Sequence, residues 1–203
     1  MPSGGVLYGQ RDFDADCSDA ETFAALAPIL PAGAIWAATP LRRTTQTLAA
    51  LHAAGAPGPA APDLLVPELM EQNFGDWAGL TYEEIQARYP AEDRRFWFAP
   101  AETRPPGGES FADLAARTRR AIDRLAKDHP GRDLVIIAHG GTIRAAVGAA
   151  LEMLMAATLS LAVDNCALTR IDRFPPTEAG GPPLWRVVAV NHPARPGAAS
   201  WIG

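Results

Sequence analysis

Residues Leu134-Val135-Ile136-Ile137-Ala138-His139-Gly140-Gly141-Thr142 decide how this chain is built. A short run of branched apolar residues reads as a buried strand. Across a histidine and two glycines it gives way to a helical pattern from about Ile143. A histidine at the carboxyl end of a strand, followed by glycines that open a helix, is where an α/β protein can hold an anion. Glycine lets the backbone approach closely, the first helical N–H groups lack intrahelical acceptors, and the imidazole adds a donor. The reading is a strand over 134–138 and a helix over 142–154, with His139 and Gly140 at the junction.

Working outward, strands alternate with helices. Residues 1–20 read as an irregular loop, 21–30 as a short helix and 34–38 as a strand ending at Thr39-Pro40. A helical pattern runs from Leu41 to about His52 and stops at Gly55, Pro57 and Pro59. Thr81 caps a helix that ends before Pro90, and an aromatic cluster, Phe96-Trp97-Phe98, follows. Ser110 caps a long helix to about Asp128, its apolar residues Phe111, Leu114, Ile122 and Leu125 at roughly helical spacing. Two late strands, about 163–173 and 185–191, form a hairpin with a long Pro/Gly turn. The pattern predicts one α/β domain over residues 1–203, a mostly parallel sheet with helices on both faces.

Composition narrows the function classes. With 203 residues, 48% hydrophobic and 20% charged, the chain can bury a core. A net charge of −5 offers no electrostatic footprint for nucleic acid, although a local pocket can still be basic. The two cysteines, Cys17 and Cys166, form no Cys-x-x-Cys, which argues against a zinc knuckle or a disulfide scaffold. The N-terminus lacks the basic and apolar regions of a signal peptide, so a cytoplasmic location is expected. Residues 145–163 are nearly all apolar, but Glu152 near their middle and many small residues favour a buried helix over a membrane span.

Four stretches carry candidate chemistry. Thr39-Pro40-Leu41-Arg42-Arg43-Thr44-Thr45-Gln46-Thr47 places arginines in the first turn of a helix after a strand, where a guanidinium can fork two phosphate oxygens. Leu69-Met70-Glu71-Gln72-Asn73-Phe74-Gly75-Asp76-Trp77 sets one carboxylate among apolar residues, a setting for a proton donor, with Glu68 as its competitor. Pro106-Gly107-Gly108-Glu109-Ser110 is a turn and helix cap whose Glu109 can brace a basic group. The fourth is His139-Gly140-Gly141 itself.

In that order and spacing the stretches resemble the histidine phosphatase superfamily, also called phosphoglycerate-mutase-like, from about Gly5 to Asn191. Gly5-Val6-Leu7-Tyr8-Gly9-Gln10-Arg11-Asp12 resembles a loop of its α-ribazole phosphatase branch. The resemblance implies a three-layer α/β/α fold and a metal-independent phosphomonoesterase that works through a phosphohistidine and needs no cofactor. Its substrate would be a small phosphorylated molecule, and neither nucleic acid nor membrane is a partner. It gives His139 the role of the second active-site histidine, Arg43 (with Arg42 as rival) the pocket arginine and Glu71 the general acid. Gly140, Gly9, Gln10 and Glu109 would line the substrate site.

The family's nucleophile stands in an Arg-His motif closing the first, central strand, and Met1-Pro2-Ser3-Gly4 holds no such strand. None of His52, His129 and His192 sits where it could replace it, so each is expected at the surface. The expectation is that a strand ending in Arg-His lies upstream of an N-terminally truncated sequence, that two strands here lack a central partner, and that this form is inactive. The alternative is a non-catalytic phospho-ligand-binding pseudoenzyme. An α/β-hydrolase is disfavoured because no Gly-x-Ser-x-Gly occurs.

Overall fold

The computed structural model describes residues 5–89, 101–178 and 180–194. The elements are α1 (Ala20–Leu26), β1 (Ile35–Ala38), α2 (Arg42–Ala53), β2 (Leu64–Leu65), α3 (Tyr82–Arg88), α4 (Phe111–Asp128), β3 (Leu134–Ile137), α5 (Gly140–Ala150), α6 (Met155–Thr158), β4 (Leu168–Phe174) and β5 (Leu184–His192). Strands β2, β1 and β3 form a parallel sheet in the order β2-β1-β3, with Trp36 opposite Val135 and Ala38 opposite Ile137.

The layers follow from the two-residue period of the strands. Trp36, Ala38 and Val135 bury into one cluster with Phe23 and Leu26 of α1 and Leu48 and Leu51 of α2. Ala37, from the opposite face of the same strand, packs with Val66, Leu69 and with Ala121 and Leu125 of α4, and Leu134 and Ile136 join it. Helices therefore cover both faces, as the sequence predicts.

The helix ends are held chemically. Ser110 Oγ accepts from the Asp113 N–H (3.1 Å) while Asp113 Oδ2 accepts from the Ser110 N–H (2.8 Å), a reciprocal capping box. Thr81 and Glu84 repeat the arrangement at α3. Helix α2 has no capping side chain of its own at Leu41; Asp12, far away in sequence, accepts from the Arg42 N–H at 2.8 Å. That carboxylate, with Asp14 paired to Arg42, offsets the unfavourable placement of two arginines at a helix N-terminus.

The structure adds to or revises the sequence reading in three places. The parallel sheet has only three strands among the described residues, because β4 and β5 pair with each other as a separate antiparallel hairpin. Strand β3 thus has a strand neighbour on one side only among the described residues, and β1 and β3 pair directly. Second, β2 was hidden in sequence: two residues following a Pro-rich loop carry no periodicity, and only pairing to Ala37 and Ala38 makes them a strand. Third, the helix read over 142–154 begins at Gly140 and ends at Ala150, and Pro28 limits α1 to Leu26, followed by one 3-10 turn. The cluster Phe96-Trp97-Phe98 lies outside the described residues. No helix among them is long and apolar enough to cross a membrane.

Candidate active site

Strands β1 and β3 are neighbours and parallel, so their carboxyl ends deliver Thr39 and His139 side by side. Thr39 Oγ1 and His139 Nε2 share a hydrogen bond of 2.9 Å. Thr39 is 0% exposed and His139 6%, so this contact is sealed from water. Thr44, one turn into α2, lies 3.0 Å from Thr39 Oγ1 and donates from its hydroxyl to the carbonyl of Leu41 (2.8 Å). Burial, with the charges of Arg43 and Arg117 behind it, pushes the His139 pKa down to about 3. The imidazole is therefore held in its neutral form near pH 7.

Arg43 reaches from α2 over the N-terminal loop. Its Nη2 donates to the carbonyl of Gly9 (2.8 Å), its Nη1 to that of Arg11 (2.9 Å), and the guanidinium lies 4.6 Å from the Phe13 ring centroid. Burial lowers its pKa, and Glu71 and Asp12 oppose that shift. The rival Arg42 is exposed and paired with Asp14. Gly9 has φ +54, and a Cβ there would fall 2.7 Å from the Gln72 carbonyl oxygen. Glycine is what lets this loop lie against the Glu71 loop.

Glu71 sits on the first turn of α5. Its Oε2 accepts from the Gly141 N–H (3.2 Å) and its Oε1 from the Gln72 N–H (2.9 Å). A Cβ on residue 141 would overlap the carboxylate, which accounts for the second glycine of the His-Gly-Gly run. A carboxylate at a helix N-terminus is favoured by the helix dipole. The competitor Glu68 instead forms a half-exposed ion pair with Arg124 (2.8 Å).

The loop carrying Glu71 is pinned from behind. Gln10 Nε2 donates to the Glu71 carbonyl (3.0 Å). Arg117 of α4 donates from Nη2 to the same carbonyl (2.9 Å) and from Nη1 to that of Glu68 (2.6 Å). Glu109 grips Arg117 through both oxygens, at 2.7 and 3.0 Å, and also accepts from the Asn73 N–H. Both Glu109 oxygens are thus engaged within the protein, the bracing arrangement that the sequence allowed.

The predicted residues His139, Arg43, Glu71, Gly140, Gly9 and Gln10 therefore converge at the carboxyl edge of the parallel sheet, with Glu109 in support. His52 and His192 are exposed and His129 is half-buried; His52 and His129 stand at the C-terminal ends of α2 and α4, the ends opposite the helix starts that face this edge. Sequence reasoning missed Thr39, Arg117 and Arg144. Thr39 stands inside a quoted motif and Arg144 two residues beyond another; Arg117 reads in the sequence as one more polar residue on the outer face of α4. Among the described residues no cluster of three or more His, Cys, Asp or Glu could hold a metal ion.

This architecture defines an α/β protein whose parallel sheet gathers a buried imidazole, a guanidinium and a helix N-terminus at its carboxyl edge. A profile of the histidine phosphatase superfamily (branch 1) matches residues 7–179, and the chain belongs to that superfamily. A glucosyl-3-phosphoglycerate phosphatase of Mycolicibacterium vanbaalenii is 31% identical over 172 residues, 80% of this chain and 71% of that protein. Other curated relatives match over shorter stretches, and the chain spans only 30% to 41% of the length of several of them. The mycobacterial glucosyl-3-phosphoglycerate phosphatase solved with VO3 superimposes with a TM-score of 0.76 at 28% identity, covering 93% of this chain and 92% of that one. The α-ribazole phosphatase from Shigella flexneri shares the fold, with a TM-score of 0.74 at 18% identity over 92% of this chain and 88% of that one.

Proposed function

We propose that residues 1–203 hold the phosphoryl-binding and proton-donating machinery of a metal-independent phosphomonoesterase acting on a small phosphorylated molecule. The observation that carries this reading is the convergence of Arg43, His139 and Glu71 around the first turn of α5. Phosphoryl transfer asks a protein mainly for positioning and charge. Arg43 keeps its Nε and the remaining Nη hydrogens for two phosphate oxygens, since each Nη spends only one on the loop. The Gly140 N–H, which has no intrahelical acceptor, donates to another oxygen. Thr39 occupies His139 Nε2, so His139 donates to the phosphoryl group from Nδ1, in the tautomer where the Thr39 hydroxyl donates to Nε2. Glu71 protonates the leaving alcohol.

The superfamily's covalent step needs an imidazole attacking phosphorus in line. The only histidine at this site is His139, held by Thr39. We infer that residues 1–203 bind phosphomonoesters without turning them over, and that a variant carrying an added strand that ends in Arg-His turns them over. Glucosyl-3-phosphoglycerate and phosphoserine, named for relatives, are candidate substrates.

The test is hydrolysis of p-nitrophenyl phosphate beside calorimetric binding of inorganic phosphate, with residues 1–203 alone and with such a strand added. Phosphate binding by both and turnover by the extended form alone is expected. Binding by both and turnover by neither favours the pseudoenzyme reading. Phosphate binding that survives Arg43→Gln unchanged overturns the site.

A further inference from the structure

We propose that Arg144 is a specificity-determining residue that selects phosphomonoesters carrying a second anionic group, a carboxylate, close to the ester oxygen. This inference rests on the phosphate-binding reading above.

Arg144 stands one turn after Gly140 on α5. Side chains on a helix lean toward its N-terminus, so a long side chain here reaches back over the first turn, toward the sheet edge. The geometry agrees: a Cβ on Gly140 would come 3.2 Å from Arg144 Nη1. The head is fixed, because Nε donates to the Leu161 carbonyl at 2.7 Å. Burial lowers its pKa, opposed by Glu71 and by Tyr82. The guanidinium thus lies half-buried within electrostatic reach of Glu71, beside the backbone N–H that faces the phosphoryl group.

What distinguishes it from Arg117 and Arg43 is its free fork. Arg117 spends Nε and both Nη groups on Glu109 and two carbonyls. Arg43 holds two loop carbonyls. The Nη groups of Arg144 have no hydrogen-bond partner and no ion-pair partner among the described residues. Glu71 does not take the fork, since its oxygens go to the Gly141 and Gln72 N–H groups.

The charges point the same way. Arg117 is neutralised by Glu109, and Arg43 faces the phosphoryl group. When Glu71 carries the proton it is to deliver, Arg144 is left as a half-buried cation without a counter-charge. A guanidinium fork matches a carboxylate with two parallel N–H bonds, and a carboxylate on the leaving alcohol would supply the missing charge.

The test is calorimetric binding of 3-phosphoglycerate and of glycerol 3-phosphate, which has a hydroxymethyl group in place of the carboxylate, with inorganic phosphate as reference. The wild-type chain is expected to prefer 3-phosphoglycerate by about tenfold or more, the worth of one charge-assisted pair. Arg144→Gln should collapse that ratio toward one, while Arg124→Gln, on the surface, should keep it. Should Arg144→Gln not fold, Arg144→Lys decides. It loses both the fork and the Leu161 anchor, so its ratio should fall at least about threefold. Equal binding of the two esters by the wild type, or a ratio that survives at folded Arg144 variants, overturns the proposal and leaves the phosphate site standing. Failure to bind any of the three ligands overturns the phosphate reading and this inference with it.

Discussion

The Glu71 carboxylate rests on the backbone of Gly141, with Oε2 3.2 Å from the N–H that opens α5. Two segments seventy residues apart are joined here without a second side chain, because residue 141 has none. Gly141→Ala should therefore act on Glu71 rather than on the helix, whose propensity alanine would improve. Overpacking of this kind costs about 1–3 kcal/mol. Urea denaturation should show that loss. A variant as stable as wild type would mean that the carboxylate can leave freely.

His139 links stability to pH. Its folded pKa of about 3 lies below the unfolded value near 6.5, so between those values the unfolded chain binds a proton that the folded chain refuses. This contribution to stability is complete above about pH 6.5 and shrinks as pH falls toward 3, by about 1.4 kcal/mol per pH unit in mid-window. Denaturation series at several pH values should show that slope, and His139→Gln should flatten it. Phosphate binding should raise the histidine's pKa, because a bound anion favours imidazolium; proton NMR of the ring would read both.

Thr39→Val tests the tautomer. It keeps the shape of the residue but leaves His139 Nε2 without a partner in a sealed site. A loss of about 1–3 kcal/mol is expected, with a shift of the ring proton toward Nε2 visible by 15N NMR. An unchanged nitrogen spectrum would refute the assignment of Nδ1–H.

The two arginine pairs of α4 should differ sharply. Arg117 and Glu109 are 16% and 17% exposed, and Arg117 also holds two loop carbonyls. Arg117→Met leaves the Glu109 charge and those carbonyls unmet and should cost about 3 kcal/mol. Arg124→Met breaks an ion pair whose members are each 48% exposed, and should cost under about 1 kcal/mol. Equal losses would show that Arg117 does not clamp the Glu71 loop.

The sequence was most legible where local chemistry and global fold agree. The apolar run 134–137, the caps at Ser110 and Thr81, and the His-Gly-Gly junction each carry their own signal, and each stands where it was read. Arg43 could be chosen over Arg42 through the family resemblance, and the structure supplies a physical reason in the Asp14 partner of Arg42. The rest depended on contacts between distant segments. Asp12 caps α2 from thirty residues away, β2 exists only through its partner, and Arg117 looks like any solvated helix residue until Glu109 and the Glu71 carbonyl are placed beside it. The hairpin was correctly foreseen, but strand propensity does not say which sheet a strand joins, and β4–β5 stands apart from β3.

The central claim is that Arg43, His139 and the α5 N-terminus meet on one tetrahedral anion. A crystal structure of the chain soaked with phosphate tests it directly. The expected result is one phosphate with oxygens about 2.7–3.2 Å from an Arg43 nitrogen, His139 Nδ1 and the Gly140 N–H. A phosphate bound away from these groups, or a site left empty at saturating phosphate, would contradict it.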